Sequence, residues 1–116
     1  MNICSKICND CPFSSNSVNG WLADYNIEDF KSMMDQEVLF PCHMMMKEED
    51  LTVDKAQEKI IKGELKMCRG YMESMIKSCK MPKFNKYLLD ARQKVKEEGV
   101  SDSSMSIHSF TKHHTI

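Results

Sequence analysis

Six cysteines in 116 residues, two of them in the spacing Cys8-Asn9-Asp10-Cys11, constrain this chain more than any other feature. Two residues between cysteines let both sulfurs reach one ion from a tight turn. One such pair supplies half of a tetrahedral site. The other half must come from later in the chain, from Cys42, its neighbour His43, Cys68 or Cys79.

The rest of the composition argues that such a site is needed. A chain of 116 residues is one domain at most, and a domain this small has a marginal core. Hydrophobic residues make up 41%, but eleven of them are Met and six are Cys. Met is flexible and specifies a unique packing poorly. A structural metal supplies the missing rigidity, because its binding free energy becomes folding free energy. The apolar runs, such as Trp21-Leu22-Ala23 and Met44-Met45-Met46, fall far short of the roughly twenty residues a membrane span needs. No basic region followed by an apolar stretch opens the sequence. The expectation is therefore a cytoplasmic protein in a reducing compartment, where clustered cysteines serve metals rather than disulfides.

Helical spacing dominates the pattern, so the fold class expected is mainly α: a small metal-stabilised helical domain over 1–99, with an N-terminal cysteine knuckle, and a flexible polar tail over 100–116. Asn26 can cap a helix with Ile27, Phe30, Met33 and Met34 on its apolar face, ending near Gln36. Thr52 can cap a second, with Val53, Ala56, Ile60 and Ile61, stopped by Gly63. A third is expected from about Glu64 to Lys80, and a fourth after Pro82 with Phe84, Tyr87, Leu88, Ala91 and Val95 on one stripe. Beyond Gly99 no period remains, and Ile107, Phe110 and Ile116 read as isolated anchors for a partner.

Geometry narrows the ligand choice. Cys68 and Cys79 lie eleven residues apart on one expected helix, roughly 16 Å along its axis at ~1.5 Å per residue. Ligands of one zinc ion stand about 4 Å apart, given Zn–S distances of ~2.3 Å. Cys68 near the helix start is favoured as a thiolate, and Cys79 reads as a small core residue. Of the adjacent Cys42 and His43, the thiolate is the simpler ligand, with His43 the alternative or a donor to a metal-bound sulfur. The expected metal ligands are thus Cys8, Cys11, Cys42 and Cys68, and the expected ion is zinc.

The order Cys8-x2-Cys11-Pro12-Phe13, Pro41-Cys42-His43, Cys68-Arg69-Gly70 resembles a family of small phage and bacterial cysteine-rich proteins that carry C-x2-C-P, P-C-H and C-x-G. The resemblance covers the first 70 residues. It implies that the same four cysteines belong together with His43 close by, and that the protein is phage or bacterial in origin, working in the host cytoplasm if phage-encoded. It implies no activity.

Other readings are weighed on the same residues. Cys4-x3-Cys8-x2-Cys11 is the spacing of radical enzymes that hold a four-iron cluster, but the chain is too short for their barrel and no run of strands follows. A [4Fe–4S] cluster without that chemistry stands as the alternative to zinc, since four thiolates suit either. Met33, Met72 and Met75 fall at helical spacing and read as core, while His108, His113 and His114 read as solvated tail. No catalytic constellation or phosphate loop is present.

Charge is uneven. Residues 1–61 carry five Lys/Arg against eleven Asp/Glu, and residues 62–96 carry ten against three. The basic stretch, with Tyr71, Phe84 and Tyr87 interleaved, can be read as a nucleic-acid surface. The favoured function is a metal-stabilised module that binds another protein, with nucleic-acid binding as the alternative.

Overall fold

A computed structural model of the chain describes residues 1–8, 10–22, 25–42 and 52–115. His43 and Met44 to Met46 lie outside the described residues. The elements run β1 (Asn2–Ile3), α1 (Ile27–Asp35), α2 (Val53–Lys62), β2 (Lys66–Met67), α3 (Arg69–Lys77), α4 (Lys86–Glu98) and α5 (Ile107–His114). The molecule is mainly helical, with α3 packed along α4 and both α1 and α3 against α5. None of the described helices is long and apolar enough to cross a membrane.

Local chemistry explains the helix starts. Asn26 accepts from the Asp29 backbone while Asp29 accepts from the Asn26 backbone, a reciprocal cap that satisfies two otherwise orphaned donors. Thr52 caps α2, and Gly63 ends it with a φ of 83°, a left-handed conformation that costs glycine least. Asn85 caps α4 and Ser106 caps α5.

Three expectations need correction. Residues 64–68 do not begin the third helix. Lys66–Met67 form a strand, and the helix starts only at Arg69, with Cys68 as its N-cap. The same helix ends at Lys77, so Cys79 lies beyond it, exposed and at a φ of 56°, rather than in the core. The third concerns the tail. Residues 107–114 are a helix, and Phe110 is completely buried. Ring burial outweighs the lack of period there, because one aromatic side chain removes enough apolar area to dock a short helix.

The centre of the core is aromatic rather than methionine-rich. Phe13 stacks on Phe110 with centroids 4.8 Å apart and meets Phe30 and Tyr71 edge-on at 5.2 and 5.8 Å. Phe40 closes the group against Phe30 and Tyr71. Met34, Met67, Met72 and Met75 fill the space around these rings.

The last helix is also held by histidines. His114, buried, accepts the Gly20 backbone N–H on Nδ1 at 3.0 Å, so its Nε2 must carry the proton donated to the Pro12 carbonyl at 2.8 Å. Burial holds its pKa below the usual value, the Pro12 bond opposes that, and His113 adds to the depression. A depressed folded pKa gives stability that is present above about 6.5 and is lost as pH falls through the folded value. Thermal melts should therefore drop between about pH 7 and about pH 5, and the drop should be shallower in His114→Gln. Equal slopes would mean that this ring does not couple protonation to folding.

Candidate metal centre

β2 is the hub of the site. It pairs in parallel with β1, and its other edge bonds the segment before Cys42 through the Pro41–Met67 bridge. Three cysteines sit at the ends of these ribbons, each anchored by its backbone N–H. Cys4 donates to the Met67 carbonyl at 3.0 Å, Cys42 to the Lys66 carbonyl at 2.9 Å and Cys68 to the Phe40 carbonyl at 2.8 Å. The knuckle approaches from a fourth direction, turned by the Cys11 N–H to Cys8 carbonyl bond at 3.0 Å.

Cys4, Cys8, Cys11, Cys42 and Cys68 all line one cavity of about 20 Å³, together with Lys6, Arg69 and Gly70. The Cys11 and Cys68 sulfurs are 3.6 Å apart and buried. The Cys68 sulfur also accepts the Tyr71 backbone N–H at 3.4 Å, at the positive end of α3. Cys4 and Cys42 line the same cavity, each with its backbone bonded to β2. The Cys11 bond, burial and the charge of Cys11 push the Cys68 thiol well up, and the Cys42 thiol and burial do the same for Cys4. These thiols therefore hold their protons until something displaces them. Among the described residues, no three or more Cys, His, Asp or Glu side chains already stand in the arrangement that holds an ion.

Gly70 makes the close approach of α3 and the knuckle possible. A Cβ there would lie 2.6 Å from Cys11 Sγ, and 3.2 Å from both Ile7 Cδ1 and Phe13 Cβ. Gly70→Ala should thus cost about 1–3 kcal/mol by overpacking, read as a lower urea midpoint. An unchanged midpoint would show that the knuckle can retreat freely.

Of the residues expected from sequence, Cys8, Cys11, Cys42 and Cys68 line this cavity, and Cys79 lies elsewhere. His43 lies outside the described residues. His108 is exposed, while His113 and His114 serve the packing of α5. Sequence reasoning set Cys4 aside with the radical-enzyme spacing, although its separation from the knuckle was a signal that it shares the site. Arg69 and Lys6 were also missed as neighbours of the thiols.

Among the described residues, five of the ten cations in the basic stretch are engaged within the chain by hydrogen bonds or ion pairs. Arg69 pairs with Glu73 and Glu98, Lys77 donates to the carbonyls of Ser101 and Ser104, Lys62 pairs with Glu58, Lys80 with Asp35, and Arg92 donates to the Lys80 carbonyl. Tyr71 is fully buried, with its hydroxyl on the Val38 carbonyl at 2.8 Å. Phe84 precedes α4 instead of lying on its stripe, and is 91% exposed. Comparison with known proteins finds no matching family model, no matching curated protein and no matching solved structure.

Proposed function

We propose that this chain is a small metal-binding interaction protein that holds one zinc ion among its clustered cysteines. The observation that carries the reading is the convergence of five thiols, from segments far apart in sequence, on one small cavity. Clustering of this kind has no packing rationale that Ala or Ser would not serve as well, whereas thiolates are the donors a thiophilic ion selects. The ligands of this reading are Cys11, Cys42 and Cys68, with Cys8, the sequence expectation, or Cys4 as the fourth, and His43 as the alternative to Cys42.

Charge supports the same reading. Zinc with four thiolates carries two net negative charges, and Lys6 borders the cavity. Its volume, about 20 Å³, suits a single ion better than a four-iron cube. The interaction role is supported by Phe84. Its loop is fixed by the Glu37 carboxylate, which accepts the backbone N–H groups of Lys83, Phe84 and Asn85 at 2.9 Å each. A rigidly presented, exposed aromatic ring is a feature of protein-binding surfaces. Ile107 and Phe110, first read as partner anchors, are occupied within the fold.

Metal analysis and an absorption spectrum of protein purified without air test the reading. About one zinc per colourless chain is expected, lost in Cys68→Ser and retained in Cys79→Ala. A brown protein whose colour bleaches in air would replace zinc by an iron–sulfur cluster, and a metal-free wild-type chain that takes up no zinc would falsify the metal reading altogether.

A further inference from the structure

A tetrahedral ion takes four ligands and the cavity offers five thiols, so one is spare. We infer that Cys4, from the end of β1, is the fourth ligand beside Cys11, Cys42 and Cys68, and that Cys8 of the knuckle is the spare thiol. The inference rests on the metal reading above and assigns its ligands.

Sulfur placement argues for it. In a zinc tetrathiolate with Zn–S bonds of ~2.3 Å, neighbouring sulfurs stand about 3.8 Å apart along a tetrahedral edge. Cys11 and Cys68, at 3.6 Å, already stand at nearly that separation. Cys4 and Cys42 line the same cavity and are fixed at its rim by backbone bonds to the neighbouring Met67 and Lys66 carbonyls of β2. Cys8 lines the cavity as well but is not the cysteine paired with Cys68.

Backbone anchoring points the same way. Cys4, Cys42 and Cys68 hang from consecutive rungs around β2, so their Cα positions are fixed relative to one another. Cys11 is pressed against α3 at Gly70, the position where no side chain fits. Cys8 lies one turn earlier in the knuckle, half-buried, and its backbone carbonyl is what the site uses, as the acceptor that turns Cys11 inward. Pre-organised ligands bind with less ordering cost than a ligand that must be drawn in. An ion held in this way would clamp the ends of β1, β2 and the Pro41 segment together, staples that strands of two residues need.

Cobalt(II) titration of the full chain, stripped of metal and kept without air, tests the assignment. Cobalt takes zinc sites and reports thiolate number through its charge-transfer intensity. Cys8→Ser should bind one cobalt with wild-type intensity and an affinity within about threefold. Cys4→Ser should lose about a quarter of the intensity, one thiolate in four, and bind about tenfold or more weakly. Cys4→His, which can itself ligate, should keep one ion while moving the cobalt d–d bands, and it guards against a Cys4→Ser chain that does not fold. Loss of intensity in Cys8→Ser with Cys4→Ser at wild-type intensity, or unmoved bands in Cys4→His, overturns the assignment and leaves the metal reading standing. A wild-type chain that binds neither cobalt nor zinc removes both.

Discussion

Phe110→Ala should destabilise the protein by about 3–5 kcal/mol, read as a fall in the urea midpoint at unchanged slope. The ring is fully buried, stacks on Phe13, meets Phe30 edge-on with centroids 5.3 Å apart and touches the His114 ring at 4.8 Å. Its removal takes away apolar burial and leaves a cavity at the point where α1, α5 and the knuckle meet. Because α5 has few other buried side chains, Phe110 and His114 foremost, its release should accompany the loss. Hydrogen exchange would show this as deprotection over 107–114 at low denaturant. A cost under about 1 kcal/mol would mean that α5 is dispensable for the core.

Glu73→Ala should have an effect of the same size for a different reason. Glu73 has a side-chain exposure of 1%, accepts from Arg69 Nε at 2.9 Å, and accepts from the backbone N–H and hydroxyl of Ser101 at 2.6 and 2.7 Å. Arg69, itself buried, would keep only the half-exposed Glu98 and two backbone carbonyls, those of Cys4 and Gly99. Breaking a buried pair from one side costs about 3–5 kcal/mol, because the remaining charge stays desolvated. Burial alone would push the Glu73 carboxyl up, but the Ser101 donors, Ser104 and Arg69 outweigh it and hold the pKa below the ordinary carboxylate value. The sign follows: the stabilisation is present above that ordinary value and is lost as pH falls through the depressed one. Wild-type and Glu73→Ala melts should converge toward strong acid. A constant gap between them would show that the carboxyl contributes by packing alone. The network also borders the cysteine-lined cavity, since Arg69 follows Cys68 and reaches the Cys4 carbonyl.

Much of this was legible where chemistry is local. Asn26, Thr52 and Gly63 mark helix ends through their own side chains or lack of one, and the structure uses each as read. The knuckle spacing likewise placed Cys8 and Cys11 beside one cavity. What could not be read was anything decided by partners distant in sequence. Leu65 to Cys68 continue a helical period, yet β1 and the Pro41 segment bond their backbone and draw them into a strand. Residues 107–114 show no apolar stripe, yet Phe110 finds Phe13 and His114 finds Pro12 across the whole chain. Cys4 stands four residues before the knuckle in sequence, but its place beside Cys42 and Cys68 is set by the pairing of β1 with β2.

The contacts between residues 12–20 and 104–114 have a consequence for how the chain is made. Ser14 bridges Ser104, and Asn19, Gly20 and Pro12 bond His113 and His114. On the ribosome the early segment must wait for some ninety further residues, roughly 5–20 seconds at ~5–20 residues per second. Phe13 has no stacking partner during that interval. The finished domain can close only after its last helix has left the exit tunnel, so the sealing of its aromatic centre is a late event of synthesis.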